Sequence, residues 1–284
     1  MQLEKAERKK VKIKCLLQGP SGSGKTYSSL LLAFGLCGDW TKIAVVDAEN
    51  DSSSLYSHLG GFNVVNISAP FTPEKYEDAI QLCEDSGIEV IIIDSFSHQW
   101  QYLLDYHSSL PGNSFTNWSK VSIRYDKLVQ KILQCSCHII STSRTKQDYV
   151  LTEKSGKMVP EKVGMKAIQR DGYDYENTLV FDLNIKNYAS ASKDRTGLFD
   201  EPPHRISVTT GIRISEWCNK GFNTSEYITN RIEECSSIDE LLDLYKAFPG
   251  TADLIKPVFE ARKRQLLNNN NHNKTINNGT HGTS

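Results

Sequence analysis

Residues Gly19-Pro20-Ser21-Gly22-Ser23-Gly24-Lys25-Thr26 form a G-x-x-x-x-G-K-[ST] loop, a spacing suited to holding a nucleoside triphosphate. A triphosphate needs several backbone N–H groups converging on its oxygens, and Gly19, Gly22 and Gly24 supply the backbone freedom for that. Lys25 is expected to bridge the β- and γ-phosphates and Thr26 to offer its hydroxyl to Mg²⁺. A helix opening at this point presents its positive dipole end to the anion. Two carboxylates further along suit the same chemistry. Asp94 ends the apolar run Val90-Ile-Ile-Ile93 and is expected at the metal with Thr26. The segment Asp47-Ala-Glu-Asn50 follows another apolar run, and a carboxylate there can polarise an attacking water as general base.

The elements that must position these residues follow from hydrophobic periodicity. Val11 to Leu17 reads as a strand leading into the loop, and Leu30, Leu31, Phe34 and Leu36 mark a helix to about Cys37. Strands are expected over Lys42–Asp47, Phe62–Ile67, Val90–Asp94 and His138–Ser143, with helices over Pro73–Cys83 and Trp118–Leu133. The unbroken run before Asp94 marks a strand buried on both faces. Shorter strands are expected at Leu179–Ile185, Tyr188–Ser192 and Arg205–Thr209. This alternation specifies an α/β fold with a mainly parallel sheet, helices on both faces, and ligands outside the carboxyl ends of the strands.

Loop, Val-Val-Asp-Ala-Glu49 and Val-Ile-Ile-Ile-Asp94-Ser, in this order and spacing over residues 11 to 146, resemble the core of RecA-type recombinases, a RecA-like P-loop NTPase fold. The resemblance implies that Glu49 is the catalytic glutamate and Asp94 the Mg²⁺-site aspartate. It also implies that Thr142 stands where the family has a glutamine sensing the γ-phosphate, a shorter reach. Ser192-Lys193-Asp-Arg195-Thr-Gly197 resembles the Lys-x-Arg element of RadA-like and DnaB-like ATPases. It implies that Lys193 and Arg195 act catalytically on the γ-phosphate in a neighbouring subunit.

In the same resemblance two loops contact DNA. The first corresponds to about His107 to Asn117, with Phe115 and Trp118 beside it. The second spans Lys146 to Arg170, where six Lys/Arg stand against three Asp/Glu; Arg144, Lys146, Tyr149, Lys154, Lys157, Lys162 and Lys166 are its candidate DNA-binding residues. A basic segment carrying an aromatic suits a phosphate backbone with stacked bases. Val150–Val159 also reads as a β-hairpin with Lys-Ser-Gly-Lys at its tip. The chain most resembles the short RecA-core ATPases of bacteriophages, including single-strand annealing recombinases and the phage AAA-type ATPase group.

That resemblance implies a Mg²⁺-dependent ATPase on single-stranded DNA, with ATP as cofactor. Its expected partners are single-stranded DNA, further copies of itself in a ring or filament, and a single-strand-binding protein. About ten residues precede the first strand, short of the segment by which RecA relatives polymerise. Helicase-like or packaging motors, nucleotide kinases and non-hydrolysing nucleotide-dependent scaffolds are the rival readings.

Residues 1–220 are expected to form the ATPase core. Residues 221–267 read as a small helical appendage in which Ser237-Ile-Asp-Glu240 is a capping box. Phe248-Pro-Gly250 reads as a helix stop, and the tail 268–284, with seven Asn, is too polar to order. The net charge of −1 gives no whole-molecule field for nucleic acid, so any such surface is local. No run approaches the ~18 apolar residues of a membrane span, and a soluble cytoplasmic protein is expected. Seven cysteines without a C-x-x-C pair fit reduced thiols. Cys135-Ser-Cys137 beside His138 could supply metal ligands, but its apolar setting reads better as core, where free cysteine behaves as a small hydrophobe.

Overall fold

A computed structural model of the chain describes residues 11–154, 157–219, 224–247 and 256–267. The loop-bearing half begins with β1 (Lys14–Gly19), α1 (Lys25–Cys37), β2 (Ile43–Asp47) and β3 (Asn63–Asn66). Next come α2 (Pro73–Asp85), β4 (Val90–Asp94), α3 (Ser97–Ser109) and α4 (Ser114–Gln134). Then follow β5 (His138–Lys154), β6 (Lys157–Ala167), α5 (Tyr173–Glu176), β7 (Leu179–Leu183), β8 (Ala189–Asp194) and α6 (Val208–Asn219). The sheet order is β3-β2-β4-β5-β1-β7-β8. β1 pairs parallel with β5 and β7, β2 with β3 and β4, and β4 with β5. The β7–β8 and β5–β6 pairs are antiparallel. The chain is a RecA-like P-loop NTPase fold, with the expected parallel centre.

The period-2 alternation of the strands divides the core in two. Leu16, Val46, Ile91 and Ile93 face α2 and α4, packing against Tyr76, Ile80, Leu128 and Ile132. Cys15, Leu17, Val45, Ile92 and Phe181 pack on the other face with Leu30, Leu32 and Ile214. There α1 and α6 cross at two glycines. A Cβ on Gly35 would lie 2.2 Å from Val208 O, and one on Gly211 2.3 Å from Leu32 O, so the helices meet backbone to backbone.

Two expectations are corrected. Arg205–Thr209 is not a strand: it holds a single bridge residue alongside, His204 to Ala189, and α6 starts at Val208 because Ser207 and Thr210 bond each other in its first turn. α3 is absent from the periodicity reading, since its buried side includes Ser97 and Gln99 as well as Leu103. It also shortens the expected first loop: His107–Ser109 close α3, and Asn113 accepts from Phe115 N to cap α4. Only residues 110–113 remain between the helices.

The chain divides into two units, one spanning Lys10–Asn219 and the other containing the residues after it. The second has α7 (Thr224–Glu234), α8 (Ile238–Ala247) and α9 (residues 256–267). Its own core joins Ile228, Ile232, Leu241, Phe259 and Leu266. Glu240 N donates to Ser237 Oγ at 3.2 Å, and Glu240 accepts in return from Ser236 N. The expected stop at Phe248–Gly250 and the tail 268–284 lie outside the described residues. No helix among the described residues is long and apolar enough to cross a membrane.

Candidate nucleotide site

β1 ends at Gly19, α1 begins at Lys25, and the loop between them needs two left-handed backbones: φ is +79° at Gly22 and +78° at Gly24. That region is open to glycine at little steric cost. The requirement at Gly19 is space rather than φ, because a Cβ there would lie 2.5 Å from Leu183 O. Asn187, in the β7–β8 turn, places its Nδ2 3.4 Å from Gly22 O on the outer side of the loop. Lys25 Nζ donates to Gly19 O and Pro20 O, both at 2.9 Å. Burial pushes its ammonium down from the ordinary lysine range, with Asp94 and Glu49 opposing that.

β2 and β4 run in register and end together, Asp47 opposite Asp94. Their two carboxylates do different work. Asp47 is buried and spent on the turn after β2: its Oδ1 accepts from Glu49 N at 2.7 Å and its Oδ2 from Ser53 N at 2.8 Å. Asp94 accepts from Thr26 Oγ1 and from Thr142 Oγ1, each at 2.5 Å. Burial pushes the Asp94 carboxyl up, and the two hydroxyls offset only part of that.

Glu49 faces the loop across the pocket, which is lined by Gly22, Lys25, Thr26, Tyr56, Asp94 and Arg144 among others. Its Oε1 lies 3.2 Å from His98 Nε2 and accepts from Arg144 Nε at 3.0 Å, while its Oε2 accepts from Arg144 Nη2. Burial pushes the Glu49 carboxyl up, but His98 and Arg144 outweigh it and hold the group at about 2. His98 is itself stacked on Phe71, ring centroids 4.9 Å apart.

The donor set fits a triphosphate and a hard divalent cation. Lys25 occupies loop carbonyls that it can exchange for phosphate oxygens, and the Thr26 and Asp94 oxygens are the ligand type Mg²⁺ takes. A buried carboxylate whose proton affinity is raised by desolvation is also one that a cation would stabilise.

The structure brings Gly19–Thr26, Glu49 and Asp94 together. Thr142 touches Asp94 from behind, and Arg144, expected on a DNA loop, closes the pocket against Glu49. Lys193, near the end of β8, and Arg195, just past it, lie elsewhere, both reaching the Tyr175 carbonyl. Lys193 Nζ donates to Asp174 O and Tyr175 O, and Arg195 Nη2 to Tyr175 O. Asp194 between them accepts from Thr196, Gly197 and Phe199 backbone N–H groups and shapes the following turn. Sequence reasoning missed His98 and Tyr56, because neither belongs to a spaced motif and α3 itself was unread.

A second concavity lies beside the root of the β5–β6 hairpin. It is lined by Trp100, Trp118, Lys146, Lys166 and Arg170 among others. The two tryptophans stack with centroids 6.3 Å apart, and His107 stacks on Trp118 at 4.1 Å. Arg170 bonds Asp126, and Lys166 pairs with Asp171. Phe115 is 85% exposed. Tyr149, Lys154, Lys157 and Lys162 belong to β5 and β6, but their side chains lie outside what is described, as do residues 155–156 at the expected tip.

No curated protein matches this chain. A family model described as an AAA domain matches residues 11–207, more than two thirds of the chain and a span that contains the phosphate loop, Glu49, Asp94 and Arg144. The chain belongs to this AAA domain family, and residues 11–207 are its nucleotide-binding ATPase domain.

Proposed function

We propose that the protein is a Mg²⁺-dependent ATPase that works on single-stranded DNA in phage-type recombination, annealing or exchanging strands. Arg144 carries the reading. It pairs with Glu49 in the nucleotide pocket, and two residues on along β5 Lys146 lines the tryptophan-bearing concavity. Stacked aromatics beside cations suit a single strand, whose bases present faces and whose backbone presents charge. One strand thus spans from the ATP site to the DNA surface.

Bound Mg²⁺ would supply neutralisation of phosphate charge; Thr26 and Asp94 are the residues to hold it. Lys25 and the loop amides bind the phosphates. Glu49 takes the proton of the attacking water at a carboxylate oxygen. A carboxylate held at about 2 is a weak base, so Arg144 restrains hydrolysis while it is paired. Displacing it toward the DNA side raises the basicity of Glu49 and couples strand binding to turnover. Lys193 and Arg195, which rest on carbonyls away from their own pocket, serve the site of an adjacent subunit.

The test is ATP turnover with and without single-stranded DNA, paired with electron microscopy of the protein on that DNA. Stimulation together with rings or filaments on the strand is expected. Turnover indifferent to DNA, or appearing only with a small phosphoryl acceptor, overturns the reading.

A further inference from the structure

At the end of the sheet opposite the strand tips that carry the nucleotide site, two helices finish against the start of β5. Among the described residues, Glu84, Cys135 and Cys137 place one donor atom each within 4.8 Å of one another. Glu84 lies in the last turn of α2, and Cys135 caps the carboxyl end of α4. The chain bends at Ser136 and Cys137 before β5 begins, and Cys137 N lies 3.4 Å from Cys135 Sγ, which keeps the two cysteines together. His138 takes no part: its Nδ1 accepts from Ile13 N at 3.1 Å.

We propose that Glu84, Cys135 and Cys137 form a binding site for a thiophilic divalent cation, Zn²⁺ being the occupant that this donor set fits. Two thiolates and a carboxylate are a borderline-soft set suited to Zn²⁺ and ill suited to Mg²⁺ or Ca²⁺. Tetrahedral donors on Zn²⁺ stand about 3.5–3.8 Å apart, given bond lengths of about 2.0–2.3 Å. The observed group therefore needs to close by roughly 1 Å, within the reach of side-chain rotation. Binding releases the two thiol protons to solvent and leaves a fourth position for water, with exposed Ser136 between the cysteines giving the way in.

Surrounding groups are arranged as such a site requires. Glu84 Oε1 accepts from Ser136 N at 2.8 Å and Ser136 Oγ at 2.9 Å, and Oε2 from Lys131 Nζ at 2.6 Å, so its orientation is set by outer partners. Lys14 is buried, and its Nζ donates to Cys135 O at 2.9 Å and Cys137 O at 2.8 Å. Lys14 is thus in place to offset the charge of two thiolates, and Lys131 that of the Glu84 carboxylate. The negative dipole ends of α2 and α4 both converge here, which favours a cation. Cys137 Sγ also lies 2.9 Å from Ile88 O, so the site ties the α2–β4 connection to the α4–β5 turn.

The experiment uses the full-length, fully reduced protein titrated with Co²⁺ and then Zn²⁺. One equivalent of Co²⁺ should give thiolate charge-transfer absorption and tetrahedral d–d bands, both erased by Zn²⁺. Cys135→Ser and Cys137→Ser should each lose most of the charge-transfer band, while Cys37→Ser keeps it. Lys131→Met should weaken Zn²⁺ binding about 10-fold. Should the serine variants fold poorly, cysteine-resolved alkylation of the unmutated protein decides: Zn²⁺ should protect Cys135 and Cys137 alone. Absence of the charge-transfer band, or alkylation unchanged by Zn²⁺ at both residues, overturns the proposal.

Discussion

Arg144 grips Glu49 with two nitrogens, Nε at 3.0 Å from one carboxylate oxygen and Nη2 on the other. The two residues are 95 positions apart in the chain. They meet because β2 and β5 flank β4 in parallel, so that Glu49, just past β2, and Arg144, just past the β4–β5 pairing, come to the same end of the sheet. The pair is the physical link between a carboxylate suited to activating water and the strand that becomes the β5–β6 hairpin. Under the proposed function, releasing it is the step through which DNA would govern the nucleotide site.

Arg144→Ala should bring the ratio of DNA-stimulated to unstimulated turnover close to one. It should also move the acid limb of the pH–rate profile upward. Glu49 is held at about 2, below its ordinary range, so it stays ionised through mild acid; without Arg144 its pKa rises and activity is lost at a higher pH. A retained stimulation ratio with an unmoved acid limb would contradict the coupling.

Lys25→Ala should abolish ATP binding, whereas Glu49→Gln should bind ATP and lose turnover by about 10²-fold or more, the usual scale for a general base. Calorimetric titration with ATP, alongside steady-state turnover, separates the two effects. Equal nucleotide affinity for Lys25→Ala and the unmutated protein would remove the loop lysine from the site.

Lys193→Ala and Arg195→Ala should each lower turnover, up to about 10³-fold if they act as trans fingers, with ATP affinity largely kept. Because the pair lies away from its own pocket, mixing Arg195→Ala with Glu49→Gln should restore part of the activity. Each variant then supplies what its neighbour lacks. Mixtures no more active than their components argue for a role within one subunit.

Trp118→Ala and Lys146→Glu should weaken single-stranded DNA binding and leave unstimulated turnover unchanged. Stacking on a tryptophan is worth about 1–3 kcal/mol per base, so Trp118→Ala should weaken binding roughly 10-fold. The lysine change should also flatten the salt dependence by about one counterion. Fluorescence anisotropy across a salt series measures both.

Gly35→Val should destabilise the ATPase unit by about 3 kcal/mol or more, at or beyond the usual overpacking range. A Cβ there meets Val208 O at 2.2 Å, and backbone cannot move aside as a flexible side chain would. Arg124 binds Glu74 through Nε at 2.8 Å and Nη2 at 2.7 Å, and holds that carboxyl at about 2. The stabilisation is present above the unfolded carboxyl value and is lost as pH falls toward 2. Since both groups are partly exposed, Arg124→Met should cost only ~0.5–1 kcal/mol at neutral pH. Denaturant unfolding at neutral and acid pH checks both.

The amino-acid sequence by itself determined the phosphate loop, the buried strands and the carboxylates at their ends, because these rest on local chemistry: glycine backbone freedom, period-2 burial and short spacing. Helix α8 was legible for the same reason, through the Ser237 capping box. Tertiary structure showed that Asp47 is taken up by the turn after β2 while Glu49, the carboxylate the resemblance singles out, faces the pocket. It also decided that Arg144 faces Glu49, that His98 and Tyr56 reach the pocket, and that α6 packs as a helix where a strand was expected. Glu84 comes to Cys135 and Cys137 in the same way, from 51 residues upstream of the nearer cysteine. Side chains far apart in the chain meet through sheet order and helix crossing, which no local pattern encodes.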